Sequence, residues 1–185
     1  MICSDPVILN GEIPALSQRQ YVEHGARGFW AYDVALGVFL KYLVDAAQAS
    51  NQADAAWLST SIAWWRVVAC ISDYGLTLDV DWSDAQRQTF IALAEHACSS
   101  LAKRAAIPAE EISGWPLLDD VENFTRGETA VSTAPIVELG RAIIALVSGN
   151  LPDAPEGTAW FYGTPTGRRT LDCATPETTA EPFSG

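Results

Sequence analysis

The chain has 185 residues, 49% of them apolar and 18% charged, with 11 basic against 23 acidic side chains and a formal net charge of −12. That length suits one domain whose core needs neither disulfide nor metal, and the composition excludes a disordered chain. Such a surface repels nucleic acid and anionic lipid and attracts basic partners, so neither a nucleic-acid nor a membrane partner is expected.

Residues 1–16 read as irregular, punctuated by Pro6, Gly11 and Pro14. The opening MICSDPVILNGEIP lacks the basic run and apolar core of a secretory signal. Ser17 reads as an N-cap for QRQYVEHGARG, as a short helix or as the first turns of the next one. Gly25 and Gly28 each weaken a helix by about 1 kcal/mol against Ala, and close packing against a neighbour would explain them.

Residues 29–47, FWAYDVALGVFLKYLVDAA, are apolar on nearly every side. Asp33, Gly37, Lys41 and Asp45 recur four apart and form one narrow stripe on a helix. A helix apolar almost all round is buried almost all round. This segment is therefore expected to be the central helix of an all-α domain, and its three charges argue against a membrane span. Asn51 opens the next helix, in which Trp57, Leu58, Ile62, Trp65, Val68 and Ile71 keep the helical period and Gly75 marks the end. Adjacent Trp64 and Trp65 point about 100° apart, so one faces the core and the other is free to meet a groove or partner.

LTLDVDW alternates apolar and polar residues and reads as a short extended connection. Ser83 and Gln86 then match a capping box, and the third helix carries Phe90, Leu93, Ala94, Ala97 and Leu101 to about residue 106. Pro108, Glu110 and Glu111 suit the first turn of a short helix broken by Gly114, Trp115 and Pro116. LLDDVENF suggests another turn or two. Thr133, with Pro135 in the first turn, opens the last helix, which Gly149 ends. Five of the ten prolines follow residue 149; AWFYG and RRTLD flank TPTG as a possible hairpin, and residues 174–185 read as a flexible tail. The expectation is a single all-α domain over 1–173, about five helices packed around the buried helix 29–47.

No motif for catalysis stands out. Glu95, His96 and Cys98 sit too close along a helix to share a metal, no G-x-S-x-G elbow occurs, and Arg27 between two glycines lacks the flanks of a phosphate loop. No metal, cofactor or catalytic residue is expected. The four cysteines show no CxxC spacing, which suits a reducing, cytoplasmic setting.

The acid distribution is the informative feature. Asp79, Asp81, Trp82 and Asp84 lie in a stretch without a basic residue, as do Glu110, Glu111, Trp115, Asp119, Asp120 and Glu122. Should the short helix fold over the bundle, these two groups merge into one acidic face studded with aromatics, a surface for a basic protein. The general character is that of a bacterial immunity protein that neutralises a toxin by steric and electrostatic occlusion, although no motif assigns a family. Two other expectations compete. One is a helical enzyme or small-molecule binder with a pocket near Asp33 and Lys41, reached by His24 and Arg66. The other is an adaptor that oligomerises through its tryptophans.

Overall fold

The structure is a computed structural model that describes residues 19–53, 55–118 and 125–173. The all-α expectation is overturned: the chain is mixed α/β, 47% helix and 20% strand. The strand β1 (Arg19–His24) and the strand β2 (Arg27–Tyr32) form an antiparallel hairpin in which Tyr21 faces Trp30. This is the stretch that reads as a weak helix. Its period is two, not 3.6: Gln20, Val22, Phe29 and Ala31 are buried, and their neighbours Tyr21, Glu23 and Trp30 are not. Gly25 opens the two-residue turn with φ +63°, which a side chain disfavours and a hairpin loop requires. Gly28 is needed for close approach. A Cβ there would lie 2.8 Å from the Tyr21 ring and 2.5 Å from the Val22 carbonyl oxygen.

The central helix α1 (Asp33–Gln48) starts four residues later than its apolar run, because residues 29–32 belong to β2. Asp33 places a carboxylate at the positive end of the helix, and its Oδ1 accepts the Val34 N–H at 2.7 Å. Leu36, Phe39, Leu40 and Leu43 are fully buried, and each side chain of this size contributes roughly 1.5–3 kcal/mol by leaving water. Helix α2 (Ala56–Cys70), helix α3 (Asp84–Leu101) and helix α5 (Thr133–Val147) surround α1. The polar stripe of α1 is covered at Gly37 and in part at Lys41, while Asp45 stays exposed. Gly37 lies against the Ala69 carbonyl of α2, and Trp115 stands over Lys41. The capping box at Ser83 forms as the sequence indicates, with Gln86 N–H donating to Ser83 Oγ and Ser83 N–H to Gln86 Oε1.

The connection LTLDVDW supplies the strand β3 (Leu76–Leu78), which pairs parallel to β1. The strand β6 (Thr158–Tyr162) pairs parallel to β2, and the strand β7 (Arg169–Asp172) returns antiparallel along β6 as the AWFYG–RRTLD hairpin. The sheet order is β3-β1-β2-β6-β7. A second, two-stranded sheet joins the strand β4 (Ala106–Pro108) to the strand β5 (Ala130–Ser132), with the short helix α4 (Ala109–Ser113) after β4. Three-residue strands are too short to display a period, so β4 and β5 leave no trace in the sequence pattern. The buried side chains of helices and sheet form one connected core. Among the described residues no helix is long and apolar enough to cross a membrane. The expected tail 174–185 and part of the LLDDVENF turn lie outside the described residues.

Candidate partner-binding edge

The two acidic groups lie at different ends of α3. Asp84 is its first residue, and Arg104, just past its last, binds Glu111 through Nη1 at 2.5 Å and Nη2 at 2.6 Å. An 18-residue helix spans about 27 Å, so Asp79, Asp81 and Asp84 are not brought together with Glu110 and Glu111. The reason is that β4 begins straight after α3, which leaves α4 beside the helix's C-terminal end. Asp119, Asp120 and Glu122 lie outside the described residues. Arg104 also holds the Glu111 carboxyl below the usual range, chiefly through these hydrogen bonds.

The aromatic residues of those segments point inward. Trp82 is only 6% exposed and packs on Phe90 at 5.0 Å and Trp57 at 5.8 Å between ring centroids. It seals the core beneath the acidic loop and offers a partner nothing. Trp115 is half-buried, 6.3 Å edge-on to Tyr42 and with the Lys41 ammonium 5.5 Å from its ring centre.

The pocket expected near Asp33 and Lys41 has no room for a ligand at Asp33. Asp33 is fully buried, and Arg126 donates to its Oδ2 from Nε at 3.1 Å and from Nη2 at 2.5 Å. Beside this pair, Tyr32 OH donates to Glu128 Oε1 at 2.9 Å, and burial together with that carboxylate pushes the phenol pKa up. The cavity at Asp33 measures about 10 Å³, walled by Val34, Gly37, Val38, Ala69, Ile112, Trp115 and Leu117. That is space for one water molecule. His24 and Arg66 are not in its wall; His24 Nδ1 is 3.2 Å from the Leu78 carbonyl oxygen, and the Arg66 Nε is buried and finds no hydrogen-bond partner among the described residues. Lys41 pairs with Asp45 one turn on.

Cys98 is buried while His96 is exposed, so the two do not meet. Burial pushes the Cys98 thiol up to about 11, which leaves it un-ionised and a poor nucleophile near neutral pH. Among the described residues no group of three or more His, Cys, Asp or Glu side chains is arranged to hold a metal ion.

What the fold does assemble is a rim along β3. Three large apolar side chains stand exposed among the described residues: Trp64 at 37%, Tyr74 at 47% and Val80 at 54%. Tyr74 and Val80 flank β3 on either side in the chain, and Trp64 rests on Tyr74 with ring centres 5.6 Å apart. Asp73, Asp79 and Asp81 accompany them, all exposed, and Asp79 Oδ1 accepts the Asp81 N–H at 2.8 Å. No Lys or Arg occurs from residue 67 to residue 86. None of these three aspartates forms an ion pair within the described residues, whereas six of the 11 basic residues of the chain do.

The rim is held from within. Gln20 is buried on β1, and its Nε2 lies 3.0 Å from the Val68 carbonyl oxygen, 3.1 Å from that of Ile71 and 2.8 Å from that of Tyr74. One amide NH2 is thus shared among the carbonyls where α2 ends and turns into β3, with the Tyr74 N–H also donating to that of Ile71. On the opposite sheet face Thr77 Oγ1 donates to Glu23 Oε1 at 2.9 Å. Val80 stands near the hairpin turn: a Cβ added at Gly25 would lie 3.6 Å from its Cγ1. The adjacency of Trp64 and Trp65 was a usable signal: Trp65 fills the core and Trp64 does not. Tyr74 carried no signal, because it sits where a helix ends and looks like one more interface aromatic. No family model matches this chain, and comparisons with curated proteins and with solved structures return no match either.

Proposed function

We propose that the protein acts by binding and occluding a basic partner protein, without chemistry of its own. The observation that carries this reading is the β3 rim, where two aromatic rings and a valine are exposed beside three aspartates that form no ion pair among the described residues. Exposed apolar groups of this size, ringed by charge, mark contact surfaces. Aromatic side chains supply most of the affinity at such surfaces, while unpaired carboxylates steer a basic partner and raise its rate of encounter. Inhibition by an immunity-type contact is one form this takes, and its mechanism is to cover the partner's working face.

The test starts with capture from the cells that make the protein, followed by reconstitution with the purified partner. A partner with a basic contact face is expected, bound at least tenfold more weakly by the triple variant Asp73→Asn, Asp79→Asn, Asp81→Asn and with a steep dependence on salt. An acidic partner, or an affinity indifferent to the triple variant, overturns the proposal.

A further inference from the structure

The sheet has two end strands, β3 and β7, and β3 is hydrogen-bonded to a single neighbour, β1. An end strand displays a row of backbone donors and acceptors and, unless something covers it, invites another strand. Proteins commonly protect such edges with charge. β7 is protected in that way: Arg169 and Asp172 lie in the strand, Arg168 precedes it, and its residues are largely exposed. β3 has no charge in it. It reads Leu-Thr-Leu, with both leucines buried and Thr77 exposed, and among the described residues no second strand pairs with it.

The three exposed apolar side chains of the described residues are set at the two ends of this unprotected strand, Trp64 and Tyr74 at one and Val80 at the other. Tyr74 and Val80 are six residues apart with β3 between them, a span of at most about 20 Å. A six-residue strand laid beside β3 therefore runs from the aromatic pair to the valine. The charge along that path is negative, from Asp73 at one end to Asp79 and Asp81 at the other, with Glu23 at the Thr77 hydroxyl. An acidic strand is repelled there, and a second copy of this chain would bring the same aspartates against themselves.

We infer that the β3 edge receives an extended, basic segment of the partner protein as a sixth strand of the sheet, clamped by Trp64 and Tyr74 at one end and Val80 at the other. This inference rests on the proposal of a basic partner and specifies how that partner docks. Main-chain hydrogen bonds hold the segment, and alternate side chains, lysine or arginine among them, meet the aspartates. Gln20 is a positioning residue for this site: by tying the carbonyls of Val68, Ile71 and Tyr74 to β1 it fixes where β3 begins.

The test uses the full chain and a blocked eight-residue peptide in which lysine alternates with valine and threonine, followed by nuclear magnetic resonance. Two controls are the same peptide with every amide N-methylated, which keeps the charge and removes the donors, and one with glutamate in place of lysine. The basic peptide is expected to bind, to slow amide exchange in residues 76–78, and to lose at least tenfold in affinity on N-methylation. Equal binding of the basic and N-methylated peptides overturns strand addition while leaving a basic partner in place. Equal binding of the basic and acidic peptides overturns the charge reading itself. Binding by none of the three at millimolar concentration overturns strand addition, and the captured partner then judges the broader proposal separately.

Discussion

The two edges of the five-stranded sheet solve the same problem in different ways. β7 closes its edge with charge. Arg169 stacks 4.9 Å from the centre of the Phe161 ring, and the neighbouring Arg168 stands 4.7 Å from that of Trp160 while its N–H reaches Glu138 on α5. Its cations are spent on aromatic faces and one carboxylate of the same chain. No Lys or Arg occurs in the chain from residue 67 to residue 86, the aspartates beside β3 form no ion pair among the described residues, and its flanking rings are partly exposed. The difference teaches that the net charge of −12 is not spread evenly in effect. It matters most where no arginine is at hand to answer it, and that is also where apolar surface is left open.

The largest expected effect is on partner affinity. Replacing Trp64 and Tyr74 together by alanine is expected to weaken binding roughly 100-fold, about 2.7 kcal/mol, measured by calorimetry with the reconstituted partner. Replacing Arg169 and Leu171 of β7 is expected to change it less than about twofold. A large loss at β7 would break the contrast. Both rim rings still bury more than half of their surface, so the first variant is expected to lose some stability, and affinities are compared where denaturant unfolding shows both proteins folded, which separates lost contact from lost fold.

Next in size is Gln20→Ala. The carbonyls of Val68 and Tyr74 lose the Gln20 amide, while that of Ile71 keeps the Tyr74 N–H, and stability is expected to fall by about 1–3 kcal/mol in urea unfolding, with faster amide exchange in residues 76–78. Arg168→Ala, its counterpart near β7, removes a half-exposed ion pair and a ring contact and should cost under about 1 kcal/mol. Should the two variants prove equal, Gln20 does not hold the rim as argued.

The smallest effect belongs to Glu111, at the far end of α3. Its folded carboxyl is held below its ordinary value of 4.5 by Arg104, so its contribution to stability is present above that value and disappears as pH falls through the lower folded value. Glu111→Gln should therefore flatten the acid limb slightly below pH 4.5, seen by thermal unfolding, and leave partner affinity unchanged. A lost affinity in this variant would instead favour a contact that spans both acidic groups.

Much of the helical layer was legible in the chain. The apolar run that becomes α1, the capping box at Ser83 and the period through α5 each depend on residues close in sequence. The hairpin of β1 and β2 was not, because its alternation is interrupted by two glycines that weaken a helix and shape a turn equally well. β4 and β5 are three residues each and show no period at all. Of the proposed binding surface, Asp79 and Asp81 were legible as acids without basic neighbours in the sequence. Trp82, between them and Asp84, was not readable as core, because its burial depends on Trp57 and Phe90 arriving from α2 and α3. Tyr74 emerged only once the end of α2 and the start of β3 were placed.

The most direct measurement is a scan with a photo-crosslinking amino acid placed singly at positions 64, 74 and 80 of the rim and at positions 170 and 172 of β7, in the cells that make the protein. Adducts to one basic partner at the three rim positions, and none at 170 or 172, are the result the account predicts. Adducts at the β7 positions with a silent rim would contradict it.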